Sequence, residues 1–270
     1  MTPGHGEEPL RVRRQEAQSG GGYTLIELLV TMGIVATLMA VLLPTIRGTI
    51  ARGRQVACQV SLRSVAHDFL IFADDQFHVD RGDDASMGER FFRIETFQES
   101  EYQVDEFWAW GEVTDYYQQS TARRNDPMRC AEVRGAMELR RNTACSRGAV
   151  GPRKNVSFGF NMRLHWAEFE DSQGLTRVRL ARLTEQVRDE GMVPLAWDVD
   201  GAQANRRDSE PVFSAPPLSS RGPYASGRYW YPSRRHLGAT NVAFIGGQVL
   251  STRDPLGENG WRWDYQPPVR

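Results

Sequence analysis

One long apolar segment near the N-terminus limits what this chain can fold into. Residues 23–46 read YTLIELLVTMGIVATLMAVLLPTI, and Glu27 is the only charged residue among them. An α-helix rises about 1.5 Å per residue, so about 20 residues cross a hydrocarbon core of about 30 Å. The segment therefore predicts a transmembrane helix.

A secretory signal peptide and a plain signal anchor both fit this segment less well. A signal peptide has an apolar core of about 7 to 15 residues and ends in a small-residue cleavage site, whereas Pro44, Arg47 and Arg52 follow here. A plain signal anchor does not account for Glu27, because a carboxylate at the centre of a bilayer helix costs about 2.5 to 3.5 kcal/mol, and less near the interface. Glu27 therefore either reaches the lipid headgroups from the first helical turn or has a partner for its charge.

The residues before the segment indicate that the chain is processed there, which would give the charge of Glu27 a partner. Gly20, Gly21 and Gly22 directly precede Tyr23. A run of glycine leaves the backbone extended and accessible to a protease. The junction between Gly22 and Tyr23 is therefore a candidate processing site.

The run from Gly22 to Val30, GYTLIELLV, resembles the cleavage and methylation motif of type IV prepilins and pseudopilins. The resemblance implies that a membrane aspartic peptidase cuts after Gly22 and methylates the new N-terminus at Tyr23, where the family usually has Phe. It also implies that Glu27 pairs with the N-terminal amine of a neighbouring subunit. Pro44 falls where pilins commonly carry a helix-kinking proline.

The function implied by this resemblance is structural and not enzymatic. The chain is expected to be a subunit of a type IV pilus or a type II secretion-like pseudopilus. Its expected partners are prepilin peptidase, other pilin or pseudopilin subunits, an inner-membrane assembly platform and the lipid bilayer. The alternative is a membrane-anchored binding or adhesive ectodomain that uses the pilin-type anchor without filament assembly.

The charge pattern neither decides how the span is oriented in the membrane nor indicates a nucleic-acid partner. The formal net charge is -1, from 33 basic and 34 acidic residues, so nucleic acid is not expected as a partner. Three arginines precede the span and three follow it within a few residues, so the positive-inside rule does not decide the topology: Arg11, Arg13, Arg14, Arg47, Arg52 and Arg54. The motif instead implies a single-pass protein of the cytoplasmic membrane, with its head on the periplasmic or extracytoplasmic side or in a cell-surface filament.

The helical pattern is expected to continue beyond the membrane to about Asp74. Leu62, Val65, Phe69 and Phe72 recur at helical spacing, and no proline intervenes. The predicted fold class is α+β and pilin-like, with a long N-terminal helix packed on a small antiparallel β-sheet with long loops. The predicted divisions are a cytoplasmic leader removed on processing, a membrane-spanning half of the helix, a soluble half and a globular head, at residues 1–22, 23–46, 47–75 and 76–270.

Short strands and turns are predicted in the head. Residues 156–161, 177–183 and 193–198 fit edge or half-buried strands. Gly246 and Gly247 lie between two apolar runs, at 241–245 and 248–251, which predicts a hairpin with a two-residue turn. Polar stretches predict loops at residues 80–90, 118–127 and 203–227.

The C-terminal region resembles a planctomycete-type pilin-like family whose signature is His, nine residues, then Asp-Gly. Nine residues separate His236 from Gly246 and Gly247, so Gly replaces the expected Asp. The sequences around Cys130, Asn161 and Asp198 follow the order of that family's other landmarks. We expect His236 to anchor a loop and not to act in catalysis or metal binding.

No catalytic residue, metal site or cofactor is expected. The sequence contains no nucleophile-elbow Ser, phosphate-binding Gly-Lys loop or zinc-type Cys/His spacing. Residues 198–201, DVDG, could begin a calcium loop, but a solvated turn fits better without further regularly spaced acids. The aromatic residues 229–231 could stack on sugars, although packing against the sheet is the more common role.

Three cysteines are present. Cys58 lies on the predicted helix, while Cys130 and Cys145 enclose a short loop. In an oxidising compartment Cys130 and Cys145 would either pair, stabilising the head by about 3 kcal/mol through loop closure, or stay as two buried thiols.

Overall fold

A computed structural model describes residues 22–78, 90–102, 130–133, 140–141, 150–151, 157–206 and 230–267. The chain divides into two compact units, Met1–Gly48 and Thr49–Arg270. The described elements comprise one long helix, two short helices and antiparallel strands, which is the predicted α+β class.

The first unit contains the N-terminal part of helix α1, which as a whole spans Leu25–His78. Its large apolar side chains are exposed from Tyr23 through Ile46. Threonines within this apolar stretch donate their hydroxyls to backbone carbonyls one turn earlier, as Thr31 does to Leu28 at 2.9 Å and Thr37 to Ile34 at 2.8 Å, so these polar groups are satisfied within the helix. α1 is long and apolar enough to cross a membrane. Pro44 lies inside it.

The second unit contains the rest of α1, and here one face of the helix is buried. The buried side chains recur every three or four residues, as the helical period requires: Cys58, Leu62, Val65, Ala66, Phe69, Phe72, Ala73 and Phe77. All four residues of the predicted apolar stripe are among them. The helix ends at His78, four residues later than predicted.

A four-stranded antiparallel sheet faces this helix. Its strands are β3 (Phe158–Phe160), β6 (Pro194–Asp198), β7 (Thr240–Phe244) and β8 (Val249–Thr252), in the order β3-β6-β7-β8. A second sheet is the hairpin of β4 (Trp166–Glu170) and β5 (Thr176–Leu180), and a third pairs β1 (Arg140–Arg141) with β2 (Val150–Gly151). The short helices are α2 (Ile94–Tyr102) and α3 (Gly201–Arg206). The predicted strands in the head are confirmed, within a few residues at their ends, but β6 is a fully buried central strand and not an edge or half-buried one.

The loops predicted at residues 80–90 and 118–127 lie almost wholly outside the described residues. The loop predicted at 203–227 begins with a helix instead, because α3 extends to Arg206. Asp200 starts this helix by accepting a hydrogen bond from the backbone N–H of Gln203 at 2.8 Å. An Asp in this position stabilises a helix start.

The sheet separates two hydrophobic clusters. The first joins the buried face of α1 to phenylalanines from α2 and the preceding segment, with Phe69 5.8 Å from Phe92 and 5.3 Å from Phe97 between ring centroids. The second cluster is rich in tryptophan and includes Trp197, Val242 and Phe244. Both faces of β6 and β7 are therefore covered.

A β-bulge in β6 decides which of its side chains face α1. The register against β7 shifts between Pro194 and Ala196. Leu195 and Ala196 both belong to the cluster on the α1 side, while Trp197 belongs to the tryptophan cluster. In a regular strand, side chains two residues apart share a face, and one extra residue reverses the alternation. The bulge thereby brings Asp198 to the α1 side.

The C-terminal hairpin is confirmed, but its turn is longer than predicted. Phe244 donates its N–H to the carbonyl of Gln248 at 2.9 Å and accepts the N–H of Gly247 at 3.0 Å. The loop therefore contains three residues, 245–247. Within this loop only Gly247 has a positive φ, at 85°, and a three-residue loop commonly ends in such a residue.

Gly246 has a separate role in this hairpin, which is close packing. Its N–H donates to the carbonyl of Gly191 at 3.2 Å. A Cβ at position 246 would lie 2.9 Å from that oxygen and 3.0 Å from the Gly191 Cα. The backbone of Gly191 thus occupies the space that a larger residue would need.

Candidate functional site

The N-terminal candidate site is the start of α1. Gly22 and Tyr23 precede the helix, and Tyr23 is 87% exposed. Glu27 lies in the first turn of α1 and is exposed.

Thr24 and Glu27 form a reciprocal cap at this helix start. The Thr24 backbone N–H and hydroxyl donate to Glu27 Oε2 at 2.9 and 2.8 Å, and the Glu27 N–H donates to Thr24 Oγ1 at 3.3 Å. This is the capping-box arrangement, which satisfies N–H groups that have no partner inside the helix. The cap gives Glu27 a local role in addition to the assembly role that the resemblance implies.

The second candidate site is a buried cluster in the head. Cys58, Cys130, Asp198 and His236 are all fully buried. One ligand atom from each lies within 4.8 Å of the others. The distance from His236 Nε2 is 3.3 Å to Cys130 Sγ and 3.4 Å to Asp198 Oδ2.

Cys130 forms a disulfide with Cys58, with their Cα atoms 5.1 Å apart. Neither alternative for Cys130, a disulfide with Cys145 or an unpaired buried thiol, is therefore correct. The prediction rested on closeness along the chain, but the buried face of α1 places Cys58 beside the Cys130 segment. Cys145 lies outside the described residues.

Four separate segments build this cluster. Cys58 comes from the buried face of α1, Cys130 from the short segment 130–133, and Asp198 from the end of β6 beyond its bulge. His236 begins a tight turn in which the N–H of Ala239 donates to the His236 carbonyl at 2.9 Å. The middle residues of this turn, Leu237 and Gly238, have φ angles of 52° and 84°.

The turn places His236 deep in the head, where its side chain has no exposed surface. The solvated turn expected at residues 198–201 is wrong for Asp198, which has no exposed surface. Its Oδ2 accepts the backbone N–H of Asn241 at 3.0 Å, and its carbonyl accepts the N–H of Ser233 at 2.8 Å. Asp198 therefore ties β6 to the segment that leads into β7.

Charged groups surround the cluster. Glu132 Oε2 lies 3.7 Å from His236 Nδ1. Arg235 donates to the carbonyls of Ser157 and Val199 at 2.9 and 2.5 Å. Burial lowers the pKa of Arg235, and the carboxylates of Asp198, Asp200 and Glu132 oppose that shift. A guanidinium remains charged under these conditions, so it compensates the buried Asp198 carboxylate.

A second buried histidine lies outside this cluster. His165 Nδ1 is 2.8 Å from Glu95 Oε1, and its side chain is 5% exposed. Burial, and secondarily the charge of Arg93, lower the pKa of His165 to about 4. The ring is therefore neutral at pH 7, and its contact with Glu95 is a hydrogen bond between a neutral donor and a carboxylate.

Trp230 and Tyr231 pack against the sheet, as predicted for the aromatic run, while Tyr229 lies outside the described residues. The rings of Trp197, Trp230 and Trp263 have centroids 5.0 to 5.5 Å apart. This spacing is typical of packed aromatic clusters.

Asp198 is the residue of the buried cluster that sequence reasoning missed. Its local sequence, DVDG, looks like a polar turn, and only the bulge in β6 and the pairing with β7 bring it beside His236.

No family model, curated protein or solved structure matches this chain.

Proposed function

We propose that this protein is a structural subunit of a type IV pilus or type II secretion-like pseudopilus. In this proposal prepilin peptidase removes residues 1–22, and the exposed part of α1 anchors the chain in the cytoplasmic membrane. The same apolar surface then packs against other subunits in a filament.

One observation carries the proposal: α1 is a single helix with two different surroundings. Its first part exposes apolar side chains from Leu25 to Ile46, while its last part, from Cys58 to Phe77, forms the core of the head. An exposed apolar surface of this size needs a lipid or protein partner.

The charge of Glu27 favours filament assembly over a role as a membrane anchor alone. Cleavage after Gly22 would create a charged amine at Tyr23, and bundled apolar helices would place that amine in a low dielectric. A buried cation needs an anion, and Glu27 is the only charged residue of the span. The proposal therefore pairs Glu27 with the Tyr23 amine of a neighbouring subunit.

The capping box suggests variants that separate charge from helix capping. Glu27→Gln retains a side chain that can cap the helix but removes the negative charge. Thr24→Ala removes the hydroxyl of the cap and keeps the charge. Loss of one partner of a buried ion pair costs about 3 to 5 kcal/mol, so we expect Glu27→Gln to reach the membrane but to be absent from sheared filaments.

The measurement is immunoblotting of membrane and sheared fractions from cells that make each variant as the only copy. Thr24→Ala should appear in both fractions, because a lost cap costs only about 1 kcal/mol. Normal incorporation of Glu27→Gln would contradict the charge pairing, whereas absence of the unmodified protein from the sheared fraction would favour the alternative of an anchored binding or adhesive ectodomain.

A further inference from the structure

We propose that Cys58, Cys130, Asp198 and His236 bind one zinc ion when the two cysteines are thiols. This proposal concerns the head alone and does not depend on filament assembly. It goes against the expectation from the sequence that His236 binds no metal.

The donor atoms fit zinc in type and in spacing. Zinc binds Cys sulfur at about 2.3 Å, His nitrogen at about 2.0 to 2.1 Å and carboxylate oxygen at about 2.0 to 2.2 Å, in tetrahedral geometry. Those bond lengths place neighbouring donor atoms about 3.3 to 3.8 Å apart. His236 Nε2 already lies 3.3 Å from Cys130 Sγ and 3.4 Å from Asp198 Oδ2.

The burial of the four residues is typical of a structural zinc site, in which the protein supplies every ligand. All four residues are fully buried, and structural zinc sites have four protein ligands and no open position. Two thiolates favour zinc over calcium or magnesium, which prefer oxygen ligands. Binding would release the two thiol protons to solvent.

Polar atoms of the cluster lack hydrogen bonds in the disulfide form. Asp198 Oδ1 and His236 Nδ1 are buried and have no hydrogen-bond partner among the described residues. Among the described residues, His236 Nε2 contacts a disulfide sulfur at 3.3 Å and a carboxylate oxygen at 3.4 Å. A metal bound to Nε2 would leave the ring proton on Nδ1, the atom that faces Glu132 Oε2.

The surroundings resemble the outer shell of a metal site. Histidine ligands commonly donate their other ring N–H to a carboxylate, and ligating carboxylates accept further hydrogen bonds. Glu132 Oε2 faces His236 Nδ1 at 3.7 Å, and the Asn241 N–H donates to Asp198 Oδ2. Zinc with two thiolates and one carboxylate carries one net negative charge, which the nearby Arg235 guanidinium balances.

The zinc form and the disulfide form exclude each other. Both sulfur atoms are used in the Cys58–Cys130 bond, so zinc requires the dithiol. Cysteines are thiols when a chain is synthesised in a reducing cytosol. Zinc would hold the same four segments together for as long as both cysteines stay reduced.

The test uses the full-length protein in detergent, reduced with a phosphine and handled without oxygen. Zinc binding is measured by competition with a chromogenic chelator, and cobalt(II) is bound in parallel as a spectroscopic probe. We expect one ion per chain, a tetrahedral cobalt spectrum with sulfur-to-cobalt charge-transfer bands, and no binding by the disulfide form. A folded dithiol protein that binds no metal would overturn the proposal, as would equal binding by the disulfide form.

Variants locate the site. His236→Ala and Asp198→Asn should each weaken zinc binding by more than about 10-fold, and Glu132→Gln by about 10-fold to 100-fold through the outer shell. His67→Ala is the control, because His67 is exposed on α1 away from the cluster, and it should leave the affinity unchanged. If the ligand variants do not fold, the zinc affinity of Glu132→Gln is the deciding measurement. A zinc affinity equal to that of His67→Ala would overturn the proposal.

Discussion

At the scale of single residues, close packing accounts for the glycine at position 246, where the signature that the sequence resembles has Asp. The signature places Asp where this chain has Gly246, and the Gly191 carbonyl oxygen would lie 2.9 Å from any Cβ there. Contacts below 3.0 Å require the neighbour to move, and here the neighbour is backbone. Gly246 therefore suits the approach of the 191 segment to the hairpin.

Gly246→Asp should consequently destabilise the head, although it restores the residue of the family. Overpacking typically costs about 1 to 3 kcal/mol, so thermal unfolding of the detergent-solubilised protein should shift to lower temperature. Gly246→Ala should show part of the same loss, whereas Gly53→Ala, in a helix and with open space around it, should show none. Equal stability of Gly246→Asp and the unmodified protein would show that the Gly191 segment moves freely.

His165 predicts a pH dependence of stability. Its pKa in the folded protein is about 4, against 6.5 for the free side chain, so between these values the unfolded chain binds a proton that the folded chain does not. Stability should therefore fall as pH decreases from 6.5 to 4, by up to about 3 kcal/mol, and this contribution should not change further below pH 4.

Urea unfolding at several pH values measures this contribution as the difference between the unmodified protein and His165→Gln. The difference should change across pH 4 to 6.5, whereas His67→Gln, which alters an exposed side chain, should follow the unmodified protein. If His165→Gln loses stability over this range as steeply as the unmodified protein, His165 is not the group responsible.

At the scale of elements, local patterns were predictable and tertiary contacts were not. The stripe of Leu62, Val65, Phe69 and Phe72 predicted α1 correctly, because helical period is a property of nearby residues. The disulfide partner of Cys130 was predicted wrongly, since it depends on how α1 packs. The bulge in β6 has no sequence signature here, and it is what brings Asp198 to His236.

Processing is the prediction that belongs to α1. If the chain is cut between Gly22 and Tyr23, the mature chain begins at Tyr23, directly before the helix cap at Thr24. Mass spectrometry of the mature protein should find N-methyl-tyrosine at position 23. Cells lacking prepilin peptidase provide the control and should retain residues 1–22. An intact leader in cells with active peptidase would refute the processing.

At the scale of the whole molecule, the proposed topology places the head outside the cytoplasm. The arginines flanking the span are balanced, so this topology rests on the cytoplasmic location of the processing enzyme.

The class of the fold was predictable because its elements have simple patterns. The buried cluster was not, because its four residues come from segments as far apart as positions 58 and 236.

Protease added to spheroplasts should therefore digest the head while a cytoplasmic marker stays intact. The measurement is immunoblotting with an antibody against the C-terminal region. Protection of the head, together with an intact marker, would place it in the cytoplasm and exclude the proposed topology.

The bond between Cys58 and Cys130 closes a covalent ring in the backbone, with the two cysteines 72 positions apart. A single cut anywhere within that ring cannot release α1 from the rest of the head. The two fragments would migrate as one species on a non-reducing gel and separate only after reduction. A nicked head would thus keep its membrane tether for as long as the disulfide survives.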